Sequence, residues 1–144
     1  MVKMVEQTVA MFRWALRQSH IKVHVDVQSN VFKLNGPAIT QVISNLLDNA
    51  IRYYDGTGPI IIEGYELQTE YKLCITGPGK PITPDAQGQI FDRFYRTEPS
   101  RSRELGGSGL GLAISKEIIE QHQGTIGVTS EGNVHTFWFK LPRG

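Results

Sequence analysis

A single cysteine among 144 residues rules out an internal disulfide, so the chain must be held by its core, and it is compatible with a reducing compartment. Excess charge is missing too. Against 15 Lys plus Arg stand 14 Asp plus Glu, and the formal net charge of +1 argues against a nucleic-acid partner or a polybasic membrane surface. No apolar run approaches the ~18 residues of a membrane span, which argues against direct insertion, and the N-terminus lacks the layout of a signal peptide. Internal repeats are absent. What is present is 40% hydrophobic residues on a chain long enough for one domain with a real core, residues 1–144, and too short for a second. Cys74, beside Leu73 and Ile75 in a strand-like run, reads as a small packed side chain rather than a nucleophile or metal ligand.

The strongest pattern spans Gln41 to Tyr53. At 100° per residue, Ile39, Ile43, Leu46, Leu47, Ala50 and Ile51 form an apolar stripe, while Gln41, Asn45, Asn49 and Arg52 share another face. Two asparagines four residues apart are mediocre helix formers, and Glu or Lys would solvate a surface at less cost. Their amide oxygens can ligate a hard cation and their nitrogens can donate to phosphate, so a cleft is their better use. Asn35-Gly36-Pro37 supplies a start signal for this helix, which should end near Tyr54.

The flanking segments predict the remaining elements. Val2, Val5, Val9, Phe12 and Leu16 space a first helix over residues 2–18. Val23, Val25 and Val27 alternate with Lys22, His24 and Asp26 as in a half-buried strand, with His24 on the polar side. Ile60 to Tyr65 and Tyr71 to Ile75 read as an antiparallel hairpin turning over Leu67 to Glu70. Thr76 to Pro81 carries two Gly and two Pro in six residues and predicts a turn. A short helix is expected from Thr83-Pro84-Asp85 toward Ile90, followed by an aromatic cluster of Phe91, Phe94 and Tyr95. Residues 97–109 are polar and glycine-rich, a candidate lid. Leu110, Ala113, Ile114, Glu117, Ile118 and Gln121 space a helix that stops at His122-Gln123-Gly124. Two strands follow, Thr125 to Val128 and Val134 to Leu141, turning at Gly132-Asn133. His122 and His135 read as structural or solvated. The sum is an α+β fold, a two-layer sandwich with helices on one face of a mixed sheet. A Rossmann arrangement fits poorly, because the first glycine-rich turn comes far too late.

Gly107-Ser108-Gly109-Leu110-Gly111-Leu112 lies where a polar loop becomes a helix. Glycines let the backbone approach an anion, and the first free amides of a helix point at it, so polyphosphate is the natural ligand. Gly-Lys-Ser/Thr is missing, so this is no P-loop. With phosphates here, Asn49 could hold their Mg²⁺ and Arg52 could neutralise charge.

These segments together resemble the ATP-binding catalytic domain of sensor histidine kinases, whose ATPase fold is shared with Hsp90, DNA gyrase and MutL. The asparagine motif is Asn45 to Tyr53, the first glycine motif Gly77-Pro78-Gly79, the phenylalanine motif Ile90 to Arg96, and the second glycine motif Gly107 to Leu112. The resemblance implies a mixed five-stranded sheet covered on one face by three helices, with ATP and Mg²⁺ as ligands. It places Mg²⁺ on Asn49, phosphates near Asn45 and Arg52, and Tyr53 at the border of the nucleotide. Residues 96–108, beginning with Arg96, would form the lid, and Gly109, Leu110 and Gly111 would cradle phosphate behind Gly107. It also implies two partners, an upstream dimerisation domain bearing the phosphoacceptor histidine and, through the parent kinase, a response regulator. The setting would be the cytoplasmic side of a membrane sensor.

Two departures stand beside the matches. The family's first glycine motif begins with an Asp that accepts a hydrogen bond from the adenine amino group, and that position is Ile75 here. Leaving the amine unpaired would cost on the order of 1 to 3 kcal/mol of affinity. None of the four histidines is followed by an acidic residue, the mark of a phosphoacceptor, so this chain supplies the nucleotide-binding half and no catalytic residue is assigned to it. A degenerate, pseudokinase-like module and a stand-alone protein-serine kinase of the same superfamily are the rival readings.

Overall fold

The computed structural model describes residues 1–28, 36–79 and 111–142. Its sheet has five strands: β1 (Val23–Val27), β2 (Ile60–Glu66), β3 (Glu70–Pro78), β4 (Thr125–Glu131) and β5 (Val134–Pro142). Their order is β1-β2-β3-β5-β4. β1 and β2 are parallel, with Val23 opposite Ile60, and the crossover between them contains α3 (Gly36–Arg52). The other pairs are antiparallel: short turns join β2 to β3 and β4 to β5, and β3 pairs β5 across a long connection that contains α4 (Gly111–Gln121) and β4. The β2–β3 turn closes with Leu67 N–H on the Glu70 carbonyl at 2.7 Å. The β4–β5 turn needs only Gly132 and Asn133, and Gly132 alone takes positive φ, +60°, the pattern of a type II′ turn.

Alternation along the strands decides the layers. Ile60 and Ile62, Tyr71, Leu73 and Ile75, and Phe137, Phe139 and Leu141 enter one core with Ile39, Ile43, Leu46 and Leu47 of α3. Burial of each such side chain contributes roughly 1.5 to 3 kcal/mol. The opposite face is polar: Lys72 and Lys140 sit over the Trp138 ring at 5.2 and 5.5 Å from its centroid. All described helices therefore lie on one side of a mixed five-stranded sheet, as expected for the two-layer α+β sandwich.

Four local expectations need correction. The first helix divides into α1 (Val2–Met11) and α2 (Arg13–Gln18) at Phe12, although Leu16 N–H still reaches the Phe12 carbonyl at 2.9 Å. Val25 is exposed, because β1 is an outer strand. The segment from Thr76 is a continuation of β3 through Pro78, not a turn. Pro78 is tolerated because its carbonyl accepts from Asp55 N–H, so its missing N–H points to that side, and the β5 ladder loses nothing. Finally, α4 (Gly111–Gln121) buries Leu112, Ser115 and Ile119, while Ile114, Glu117 and Gln121 are exposed. Both faces satisfy helical spacing; a polar contact with α3 selects the one containing serine.

Candidate functional site

α3 forms where the sequence predicts it and ends at Arg52, two residues short of Tyr54. Ile39, Val42, Ile43, Leu46, Leu47 and Ala50 are buried, which leaves Asn45 and Asn49 half-buried at the edge of the core. They are not solvated surface residues. Gln41 Nε2 donates to Asn45 Oδ1 at 2.9 Å, and Asn45 Nδ2 donates to Ser115 Oγ at 3.0 Å. Ser115 is fully buried on α4, so this bond ties the asparagine helix to the helix that the second glycine motif opens. Asn49 Nδ2 donates back to the Asn45 carbonyl at 2.8 Å. The nitrogen being engaged, Asn49 Oδ1 is left with no partner among the described residues, the donor type a hard cation takes.

One turn on, Arg52 Nη2 lies 2.9 Å from Asp48 Oδ2. Burial pushes the Asp48 carboxyl up, and the Arg52 charge and hydrogen bond pull it down by less. Arg52 is thus engaged in this conformation, and a phosphate would compete with Asp48 for it.

The end of α3 is locked to the end of β3. Tyr53 N–H bonds the Asn49 carbonyl at 2.9 Å, Tyr54 bridges to Gly79, and Gly79 N–H bonds the Asn133 carbonyl at 2.7 Å. A Cβ on Gly79 would stand 2.7 Å from the Tyr53 carbonyl oxygen and 3.0 Å from His135 Cδ2, so only glycine fits. Gly77 is less constrained, a Cβ there meeting Ile60 Cγ1 at 3.2 Å. Ile75 is 0% exposed and belongs to the core, opposite Ile62 and Phe137.

The structure therefore brings Asn45, Asn49, Arg52, Tyr53 and Gly79 around the C-terminal half of α3, while Gly77 lies in β3 against Ile60. Gly111 is the first residue of α4. Arg96, Gly107, Gly109 and Leu110 lie outside the described residues, as do Asn35, the segment from Thr83 to Ile90, the aromatic cluster and the candidate lid. Sequence reasoning missed Ser115 and the Asp48–Arg52 pair. Ser115 had a signal, since a lone serine at i, i+3, i+7 spacing with Leu112 and Ile119 calls for a polar partner in the core. Among the described residues no cluster of three or more His, Cys, Asp or Glu could hold a metal.

Comparison with known proteins agrees with this geometry. Residues 35–144 match the family described as histidine kinase-, DNA gyrase B- and HSP90-like ATPase. The chain is 40% identical over 104 residues to the sensor histidine kinase CusS of Escherichia coli K12, covering 72% of this chain and 22% of that protein. It is 42% identical over 117 residues to the sensor protein SrrB of Staphylococcus aureus, covering 81% and 20%. The chain thus spans about a fifth of the length of these relatives. The nucleotide-free catalytic domain of histidine kinase ThkA superposes with a TM-score of 0.85 at 26% identity, covering 99% of this chain and 92% of that one. These likenesses favour a kinase catalytic domain over a degenerate binding module. The chain belongs to the histidine kinase-, DNA gyrase B- and HSP90-like ATPases, as an ATP-binding catalytic domain of the sensor histidine kinase type.

Proposed function

We propose that all 144 residues form one catalytic domain that binds Mg-ATP between α3 and the start of α4. It would present the γ-phosphate to a histidine on the parent protein's own dimerisation domain, from which a response-regulator aspartate receives it. In the first transfer the bond from γ-phosphorus to its bridging oxygen breaks, a nitrogen–phosphorus bond forms, and ADP leaves. When bound, Mg²⁺ would supply neutralisation of the charge that gathers on the phosphate oxygens. Asn49 Oδ1 would hold the metal, and Asn45 and Arg52 would serve the phosphates, Arg52 after release from Asp48. Gly111, at the first turn of α4, offers backbone amides to the phosphates together with Gly107, Gly109, Leu110 and Arg96. Tyr53, Gly77 and Gly79 border the nucleoside; Ile75, fully buried, supports that end of the cleft from within the core rather than touching the ligand. In the parent protein the domain lies on the cytoplasmic side of a membrane sensor; among the described residues no helix is long and apolar enough to cross a bilayer.

The observation that carries this reading is Asn49, its nitrogen spent on the Asn45 carbonyl and its oxygen left for a cation, on a helix clasped to α4 through Ser115. Calorimetric titration with a non-hydrolysable ATP analogue, with and without Mg²⁺, tests it. The wild type should bind in a Mg²⁺-dependent manner, and Asn49→Ala should bind roughly tenfold or more weakly, with the Mg²⁺ dependence gone. Absence of binding by the wild type, or a variant that keeps its Mg²⁺ dependence, overturns the assignment.

A further inference from the structure

His135 is a buried titratable group without a part in the chemistry above. It is 3% exposed in the second position of β5, on the core side of the sheet, where strand neighbours Phe137, Phe139 and Leu141 are apolar. An imidazole in such a place needs both ring nitrogens satisfied. Ser130 Oγ lies 2.7 Å from Nδ1, across the β4–β5 hairpin. With Nδ1 taken, Nε2 is the nitrogen left for the bond His135 makes to the Gly79 backbone. Burial lowers the ring's proton affinity more than this bond raises it, so the neutral ring fits: Ser130 donates to Nδ1, and Nε2–H donates to the Gly79 carbonyl.

The contacts of Gly79 give this chain its meaning. On one side, the position a Cβ would take is 2.7 Å from the Tyr53 carbonyl oxygen; on another, it is 3.0 Å from His135 Cδ2. Gly79 is therefore gripped between the end of the asparagine helix and the imidazole. Asn133, in the same hairpin turn, holds its N–H. Both polar groups of the Gly79 backbone are thus held by the β4–β5 hairpin. Movement of the ring would shift Gly79 against Tyr53.

We propose that His135 is a positioning residue for nucleotide binding: braced by Ser130, it sets the first glycine motif at Gly79 against Tyr53 and so shapes the nucleoside side of the cleft. This rests on the reading that Tyr53 and Gly79 border the nucleotide. His135 touches neither phosphate nor metal in this arrangement, so its influence falls on the nucleoside and spares the phosphate end.

The test uses the full 144-residue chain and two variants that divide the ring's bonds. His135→Asn places an amide near the Nδ1 position and is too short for Gly79, whereas His135→Gln carries a donor to about the Nε2 position. Dissociation constants are measured for a Mg-bound non-hydrolysable ATP analogue and for Mg-tripolyphosphate, at a temperature where circular dichroism shows each chain folded. His135→Asn should bind the analogue about tenfold more weakly, and His135→Gln within about threefold of the wild type, the loss of one buried hydrogen bond setting the scale. Tripolyphosphate affinity should be equal in all three. Ser130→Ala, a milder change that keeps the ring, should weaken the analogue about two- to threefold. Equal analogue affinities in His135→Asn and the wild type overturn the proposal, and so does a parallel loss for tripolyphosphate, which would mark a general structural role. Failure of the wild type to bind the analogue strikes the underlying ATP assignment instead, and is distinguishable on that ground.

Discussion

Replacement of Ile75 by aspartate places the residue expected of the family into the environment this chain has built. Ile75 is 0% exposed in the central strand β3, between Ile62 and Phe137 on its neighbours, and faces the core. Loss of its buried apolar surface removes roughly 2 to 3 kcal/mol. A carboxylate without a partner in that core adds more, unless it takes up a proton. The expected sum is about 4 kcal/mol at pH 7, a large share of the roughly 5 to 15 kcal/mol that stabilise a domain. Ile75→Val, which removes one methylene from the same place, should cost about 1 kcal/mol. The two differ in their pH dependence. Burial raises the folded-state pKa of the new carboxyl, so the folded chain binds the proton first. The aspartate penalty should therefore shrink as pH falls from that raised value toward the unfolded value of about 3.9. The valine penalty should not respond. Urea unfolding followed by circular dichroism at pH 7 and pH 5 measures both. An aspartate variant within about 1 kcal/mol of the wild type at pH 7 would refute the placement of Ile75 in a dry core.

Two further predictions concern the joint between β3 and β5. Gly79→Ala must push apart the Tyr53 carbonyl and the His135 ring, 2.7 and 3.0 Å from the new Cβ, and should cost about 2 kcal/mol in urea unfolding while weakening nucleotide binding; a neutral substitution would show that the two sides can separate freely. Burial holds His135 below its ordinary 6.5, so its contribution to stability is complete above that pH and is lost as pH falls through 6.5 toward the lower folded-state value. The slope reaches at most about 1.4 kcal/mol per pH unit, and His135→Gln should remove it; an unchanged slope between pH 7 and pH 5 contradicts the buried neutral ring.

Much of the fold was legible because its signals are local. Periodicity along α3, alternation in β2, β3 and β5, and the Gly132-Asn133 turn each depend on residues within a few positions of one another, and the elements formed where those patterns lie. Local signals failed where a neighbour distant in sequence decided the outcome. The glycines and prolines after Ile75 predict a turn, yet β5 pairs with them up to Pro78 and Asp55 takes the Pro78 carbonyl. On α4, spacing pointed to the face of Ala113, Ile114, Glu117 and Ile118, whereas packing against α3, with Asn45 bonded to Ser115, 70 residues away, buried Leu112, Ser115 and Ile119. His135 looked like an ordinary strand residue until the hairpin placed it beside Gly79.

The amino-acid sequence alone determined the amphipathic helix with its two asparagines, the layer architecture, and the helix that follows the glycine-rich segment. Helical and strand periods and the conformational freedom of glycine act over a handful of residues, and a chain cannot hide them. The tertiary structure alone decided what each polar side chain spends its hydrogen bonds on. It put Asn45 on Ser115, Arg52 on Asp48, His135 beside Gly79, and Ile75 in the core rather than at a polar wall. A buried polar group must find a partner, and which partner is within 3 Å is a property of packing, not of spacing along the chain.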